Sequence, residues 1–193
     1  MSLREDIIAI ATAEIGVKEN PPDSNRVKYN TWIYGKEVEG SAYAWCGAFC
    51  SYCYFKAGAT IKNAGLTNGY VGCQYAVTHL SKWGRLVTVP MPADIVFYDW
   101  QGDGKFDHTG IFVKDLGKGL FEAIEGNTAF GNDSNGGKVM VRADRKYKNA
   151  IFVRPNVLSK NTCIYSPCFG GQIWSVDKCV CPPGLNFNGV KCK

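Results

Sequence analysis

Cys46 is the first residue of this chain whose type and position suggest chemistry. It lies in the segment 43–49, at the first turn of a helix that the apolar spacing predicts over 45–57. The positive end of a helix dipole stabilises a thiolate, and the free N–H groups there can stabilise an oxyanion. Cys46 is therefore a candidate nucleophile. The alternative is a small buried cysteine, the role we predict for Cys50 and Cys53, because an i,i+4 pair on a helix is badly oriented for a disulfide.

A thiolate nucleophile in a hydrolase needs a base, usually histidine, and the sequence contains two histidines. His79 falls on the predicted solvent side of a helix over 73–83. His108 instead begins a predicted strand, directly after Asp107. His108 is therefore the candidate base, and the alternative for it is a strand-end histidine with a structural role.

A turn at 115–119 joins the strand that begins at His108 to the next strand in a predicted hairpin. Centring the hairpin on this turn places Glu125 or Asn127 beside His108. A carboxylate next to an imidazole is the arrangement that a general base requires. The hairpin therefore indicates a second polar partner for His108.

The elements that must position these residues follow one order along the chain, helices first and strands after them. This order predicts an α+β fold with helices packed on an antiparallel meander. Helices are predicted at 3–15, 45–57 and 73–83, and strands at 94–98, 108–113, 120–125, 138–142 and 150–154.

The composition excludes several classes of protein. With 46% hydrophobic and 20% charged residues, a chain of 193 residues is globular and neither disordered nor fibrous. The net charge of +5 comes without a basic stripe interleaved with aromatics, so we expect no nucleic-acid binding. The apolar runs are far shorter than the ~20 residues of a membrane helix, so we expect no membrane insertion. A monomer is expected.

The C-terminal residues differ in composition from the rest of the chain. The segment 159–193 holds five of the nine cysteines and few aliphatic residues. So short a segment cannot build a core and usually needs disulfides or a metal, and it lacks the histidine and Cys-x2-Cys pair of a zinc site. We therefore predict a catalytic domain over 1–158 and a small disulfide-rich module over 159–193.

Six short segments together make the sequence recognisable. Over roughly residues 3–155 it resembles the CHAP family, the cysteine- and histidine-dependent amidohydrolases/peptidases. These are papain-like, NlpC/P60-type peptidoglycan hydrolases that are common in phage endolysins. The segments that carry the resemblance by their order and spacing are 24–30, 43–46, 94–99, 107–111, 125–128 and 131–137.

The resemblance assigns roles to the candidate residues. It implies that Cys46 attacks an amide carbon, that His108 takes the thiol proton and later protonates the leaving amine, and that Glu125 orients the imidazole. It adds Asn127, which we expect to make a second polar contact, either to Glu125 or to the ring. No cofactor is implied.

The substrate implied by the resemblance is bacterial peptidoglycan, cut through a thioester on Cys46. Family members hydrolyse either the N-acetylmuramoyl–L-alanine amide or a bond of the peptide stem or bridge, and the sequence leaves both open. The alternative function is a non-catalytic wall- or surface-binding protein on a papain-like fold. We expect action on the extracellular side, at the wall. The start of the chain does not resemble a secretory signal, so release by a holin-type or other route is expected.

Two further patterns in the sequence are less specific than the six segments above. Asp99, Asp103 and Asp107 are spaced like half of an EF-hand loop, which predicts either a calcium site or a solvated turn. The C-terminal segment is similar to an EGF-like module without its first cysteine. That second resemblance implies the bridges Cys163–Cys179 and Cys181–Cys192 and leaves open whether the module targets the wall, binds a partner or adds stability.

Overall fold

The first helix begins where the sequence predicts, at a capping box. Ser2 Oγ accepts a hydrogen bond from the Glu5 N–H, and the Glu5 carboxylate accepts one from the Ser2 N–H. The structure is a computed structural model that describes residues 2–159. The helices are α1 (Leu3–Ala13), α2 (Lys28–Tyr34), α3 (Cys46–Lys56), α4 (Cys73–Thr78), α5 (Leu80–Trp83) and α6 (Asn156–Ser159).

Within residues 2–159, six strands form one antiparallel sheet in the order β1-β6-β2-β3-β4-β5, which confirms the α+β class. Strands β2 to β5 follow the predicted meander. The last strand does not extend it, because β6 is inserted between β1 and β2; the apolar run Ile151–Val153 suits a strand with neighbours on both edges. The strands are β1 (Gly84–Val87), β2 (Ile95–Tyr98), β3 (His108–Gly117), β4 (Leu120–Thr128), β5 (Lys138–Lys146) and β6 (Ala150–Pro155).

The helix predicted over 73–83 is in fact two short helices separated at His79. The His79 N–H and the ring nitrogen Nδ1 both lie 2.9–3.1 Å from the Tyr75 carbonyl, and this residue ends α4. The apolar stripe survives the break, since the indole N–H of Trp83 in α5 donates to the Ala76 carbonyl at 2.8 Å. His79 itself is partly exposed and stacks on Tyr75.

Besides the four-residue helix α6, one further helix and one strand were not predicted. Helix α2 has seven residues, which is too few for apolar periodicity to indicate a helix, and it ends at Gly35 with a φ of 69°. Strand β1 has four residues, of which two are exposed, and it lies at the edge of the sheet. Neither carries the alternating or continuous apolar pattern on which strand and helix predictions rest.

Helix α3 packs directly on β3 and β4, which brings the predicted site together. The close approach requires a glycine: a Cβ at Gly126 would lie 2.6 Å from Phe49 Cβ and 2.7 Å from the Trp45 ring. The main core lies between this helical layer and the sheet. A smaller apolar cluster covers the opposite face and contains Val96, Tyr98, Phe112, Phe121, Ala123 and Phe152.

The predictions for the cysteine-rich C-terminal module, including its bridges, fall on residues 160–193 and lie outside the described part of the chain. The proposed boundary after residue 158 falls within α6, whose Leu158 is buried. Between residues 2 and 159, no helix combines the length and apolarity needed to cross a bilayer.

Candidate active site

Cys46 is the first residue of α3 and is only 3% exposed. The residue before it, Trp45, caps the helix; its carbonyl accepts the Phe49 N–H at 2.9 Å and its indole N–H donates to Glu19 Oε1 at 2.8 Å. The buried Glu19 carboxylate thus fixes the entry to the helix. The prediction that Cys46 lies in the first turn of α3 is confirmed.

His108 is the first residue of β3 and is completely buried. Its Nε2 lies 3.0 Å from Glu125 Oε2, so the structure brings these two predicted residues together. The hairpin register that achieves this pairs Ile111 with Ile124. Nδ1 is buried without a well-formed hydrogen bond among residues 2–159, and it is the ring nitrogen left to interact with the Cys46 thiol.

Glu125 is buried and has two further partners that the sequence did not indicate. The Tyr98 hydroxyl donates to Oε1 at 2.7 Å. Arg145 Nε donates to the same oxygen at 2.7 Å, and Arg145 Nη2 donates to Oε2. A bidentate guanidinium forms strong, charge-assisted hydrogen bonds to a carboxylate. Glu125 is therefore held on both oxygens.

The sequence held a signal for Tyr98 but none for Arg145. Tyr98 lies directly opposite His108 in the β2–β3 register, so pairing the two predicted strands would have indicated it. Arg145 lies beyond the predicted end of its strand at residue 142, and a register shift between β4 and β5 precedes its pairing with Phe121. A bulge of that kind has no local sequence pattern. Arg145 is kept in place by the faces of Tyr98 and Trp100, at 5.1 and 4.9 Å from the ring centroids.

The electrostatics of the site favour a charged pair. Burial alone would raise the pKa of Glu125, but hydrogen bonds from Arg145 and His108 lower it to about 2. Burial alone would lower the pKa of His108, but the Cys46 thiolate and Glu125 raise it to about 9. The pKa of Cys46 lies well below its usual value, because Cys73 donates a hydrogen bond to it and because His108 is cationic. Near neutral pH, Cys46 is therefore a thiolate and His108 an imidazolium.

A second cysteine lies at this site. Cys73, the first residue of α4, has its Sγ 3.8 Å from Cys46 Sγ. The hydrogen bond to Cys46 and burial raise the pKa of Cys73 well above its usual value. Cys50 and Cys53 are buried thiols, as predicted, and burial raises the pKa of each.

Asn127 does not make the contact that was predicted for it, which corrects the role given to this residue. Its backbone is left-handed, with a φ of 58°, at the shift in the β4–β5 register. Its side chain donates to Asn135 Oδ1 at 3.2 Å and accepts the Gly137 N–H at 3.2 Å. Asn127 therefore closes the loop between β4 and β5. The further hydrogen bonds to Glu125 come from Tyr98 and Arg145 instead.

The acidic loop before β3 is closed by its own backbone. The Asp99 carboxylate accepts the N–H groups of Gly102, Asp103 and Gly104 at 2.6–3.1 Å. Asp107 accepts the Trp100 N–H at 3.1 Å. Within residues 2–159, no three histidine, cysteine, aspartate or glutamate side chains are arranged to hold a metal ion. This geometry is that of a turn held by carboxylate–backbone bonds.

Comparison with known proteins gives a match over the part of the chain that contains the candidate site. A family model described as CHAP domain matches residues 38–127, a span that includes Cys46, His108 and Glu125. Among solved structures, the chain is similar to RipD from Mycobacterium tuberculosis, described as a non-catalytic NlpC/p60 domain protein with an adaptation to peptidoglycan binding. The TM-score is 0.43 at 17% identity, over 79% of this chain and 96% of that one. No curated protein matches the sequence.

Proposed function

We propose that this chain is a peptidoglycan hydrolase that cleaves an amide bond through a thioester on Cys46. The observation that carries the proposal is the buried set Cys46–His108–Glu125, in which His108 Nε2 lies 3.0 Å from Glu125 and Nδ1 is left for the thiol. A protein that only binds needs no acidic thiol beside a buried imidazole. The match of residues 38–127 to the CHAP domain supports peptidoglycan as the substrate.

In the first half of the reaction, the Cys46 thiolate attacks the amide carbon and the carbonyl π electrons move to oxygen. The tetrahedral intermediate collapses as the C–N bond breaks, and the His108 imidazolium gives its proton to the leaving amine. The products of this half are a free amine and an acyl thioester on Cys46. The Gly47 N–H, which interacts with the Cys46 sulfur, lies at the helix N-terminus, where it favours negative charge.

In the second half, neutral His108 takes a proton from water as the water oxygen attacks the thioester carbon. The C–S bond then breaks, which releases the carboxylic acid and regenerates the thiolate beside the imidazolium. Glu125 stays ionised through both halves because Arg145 keeps its pKa at about 2. Its role is to orient the ring and to stabilise the imidazolium.

The site of action that follows is the bacterial wall, outside the cytoplasmic membrane. Two bonds fit the chemistry equally, the amide that joins muramic acid to the first stem residue and a peptide bond of the stem or bridge. Each would release a different new terminus. The bond is therefore identified by its products.

Purified walls incubated with the full chain test this proposal. We expect soluble muropeptides whose masses identify the new amino terminus, and we expect none from Cys46→Ala. His79→Ala is the matched control, since His79 lies outside the site, and it should release the same products at a similar rate. Binding of the folded protein to walls without release of any muropeptide would overturn the proposal in favour of a non-catalytic wall-binding protein.

A further inference from the structure

Cys73 has no part in the reaction written above, yet its sulfur lies 3.8 Å from that of the proposed nucleophile. Both thiols are free, and their exposed fractions are 3% for Cys46 and 7% for Cys73. They come from different helices, with 26 residues between them in the sequence. The fold has thus placed two thiols in contact at the starts of α3 and α4.

The contact is built into the backbone. A Cβ at Gly47 would lie 2.5 Å from the Val71 carbonyl oxygen, so only glycine lets the segment before α4 lie this close to α3. One helical turn further on, Ser51 Oγ donates to the Tyr70 carbonyl at 2.9 Å and accepts the Tyr70 N–H at 2.8 Å. The segment that carries the second thiol is therefore fixed against α3 at two points.

We propose that Cys46 and Cys73 form a reversible disulfide, which makes this thiol pair a modification site for low-molecular-weight disulfides. In the first step the Cys46 thiolate attacks one sulfur of the small disulfide, and a thiolate leaves. In the second step the Cys73 sulfur attacks the Cys46 sulfur of the mixed disulfide, and its proton leaves with the second small thiol. The two protein thiols lose two electrons, and one small disulfide gains them.

The different acidities of the two thiols fit these two roles. Cys46 is the thiolate, and a thiolate is the attacking species in exchange. Cys73 is kept protonated chiefly by its hydrogen bond to the Cys46 sulfur. That interaction with a charged sulfur ends when Cys46 enters the mixed disulfide, so Cys73 becomes more acidic at the step in which it attacks.

The geometry favours Cys73, rather than Cys50 or Cys53, as the disulfide partner of Cys46. A disulfide needs the sulfurs at about 2.05 Å, so the gap of 3.8 Å must close by about 1.7 Å, within the reach of χ1 rotation and small backbone shifts. Cys50 and Cys53 lie on the same helix as Cys46, where regular spacing orients the side chains badly for bonding. Cys73 has no such constraint because it belongs to α4.

Formation of the Cys46–Cys73 disulfide would remove the nucleophilic thiolate until a small thiol reduces the disulfide. That consequence rests on the proposed function, whereas the exchange chemistry does not, because it needs no wall substrate. A mass measurement on the protein alone therefore tests the thiol pair. A failure of Cys46 and Cys73 to form the disulfide and a failure to cleave walls would therefore be seen in separate experiments.

The test uses the reduced full chain, oxidised glutathione as the probe, acid quenching at timed intervals and chymotryptic peptide mapping. Cleavage after Phe49, Tyr70 and Tyr75 places Cys46 and Cys73 on peptides free of other cysteines. We expect the Cys46 and Cys73 peptides to be cross-linked, with a glutathione adduct that is only transient. In Cys73→Ser the adduct on Cys46 should persist at least about 100-fold longer, because the resolving step is no longer intramolecular.

Two controls keep the result decisive. Cys53→Ala removes a buried thiol of the same helix and should cross-link like the unsubstituted chain, and dithiothreitol should restore both thiols. Cys73→Ala replaces Cys73→Ser if the serine variant fails to fold. The proposal is overturned if the adduct on Cys46 lasts equally long with and without Cys73. It is also overturned if Cys46 joins another cysteine or does not react with the probe.

Discussion

Cys46 and Cys73 each begin a helix, and their sulfur atoms are in contact, yet their acidities move in opposite directions. Cys46 begins a helix of 11 residues, and its pKa is lowered by the hydrogen bond from Cys73 and by the neighbouring imidazolium of His108. Cys73 begins a helix of six residues, and its charged neighbours are the Cys46 thiolate and Asp107, which raise its pKa.

The comparison indicates that a helix N-terminus alone does not make a buried thiol acidic. The dipole is worth about 0.3–1 kcal/mol at an ordinary site, which is less than burial of a thiolate costs. The hydrogen bond between the two thiols has the largest effect on the pKa of Cys46, but either sulfur could donate it. His108 is the cation that favours ionisation of Cys46 rather than Cys73, and Glu125 holds this cation from its other side. Substitutions at the thiols and around the cation test this account of the difference in acidity.

Replacing the acidic thiol should have the largest effect. We expect Cys46→Ala to lower the rate of wall cleavage at least about 1000-fold, because the covalent route is lost. Cys53→Ala removes a buried thiol without chemical function and should keep most of the rate. Release of muropeptides measured by mass spectrometry checks both, and folded Cys46→Ala with substantial activity would contradict the mechanism.

Removing the cation should abolish the difference between the thiols. In His108→Ala the pKa of Cys46 should rise, so alkylation of Cys46 by iodoacetamide at pH 6 should slow while Cys73 stays unreactive. Wall cleavage should fall at least about 100-fold, the size of a general acid–base contribution. His79→Ala should leave both readouts unchanged. An equally fast alkylation of Cys46 in His108→Ala would show that the helix and the Cys73 hydrogen bond set its acidity without the cation.

Arg145→Met changes a residue that contacts Glu125, the partner of His108, and not the thiol itself. It leaves the buried Glu125 carboxylate without its main cation, which should cost about 3–5 kcal/mol of unfolding free energy. The pKa of Glu125 should rise from about 2, so activity should be lost at a higher pH on acidification. Urea unfolding and an acid pH–rate profile check this prediction. Arg142→Met, which removes an arginine without contact to Glu125, should leave the acid limb of the profile in place.

The charged pair also predicts an alkaline limit. The pKa of His108 is about 9, so above that pH the imidazolium loses the proton that the leaving amine needs, and kcat/KM should fall. In Cys46→Ala the thiolate is gone while burial remains, so the pKa of His108 should decrease, and imidazole proton chemical shifts would follow it. A loss of kcat/KM that sets in well below pH 8 in the unsubstituted chain would contradict this assignment.

The smallest expected effect concerns the second thiol. Ser51→Ala removes the two hydrogen bonds that fix Tyr70 against α3 and should cost about 1–3 kcal/mol of stability. Because Cys73 is then less firmly held, its disulfide with Cys46 should form about threefold more slowly, by the timed mapping described above. Alkylation of Cys46 at pH 6 should stay fast, since His108 is unchanged.

The sequence was sufficient for the parts of the site that local patterns determine. Cys46 is a candidate because it starts a strongly apolar helix, and one hairpin turn places Glu125 or Asn127 beside His108. The resemblance to the CHAP family then selects Glu125, which the structure places 3.0 Å from His108. Arg145 and Cys73 were not predicted to belong to the site, because each reaches it through long-range packing. Asn127 was assigned to the wrong contact because its left-handed backbone has no counterpart in the strand pattern.

The glycine between Glu125 and Asn127 has a consequence for how mutational scans of this protein would be interpreted. Any side chain at position 126 would overlap Phe49 and Trp45, and these residues belong to the helix start that carries Cys46. A saturation library selected for activity should therefore reject replacements at Gly126 as strictly as at Cys46, although Gly126 has no group that reacts. Intolerance at these two positions has different origins, and only a measurement of folding separates them: Gly126→Ala should fail to fold, whereas Cys46→Ala should fold and be inert.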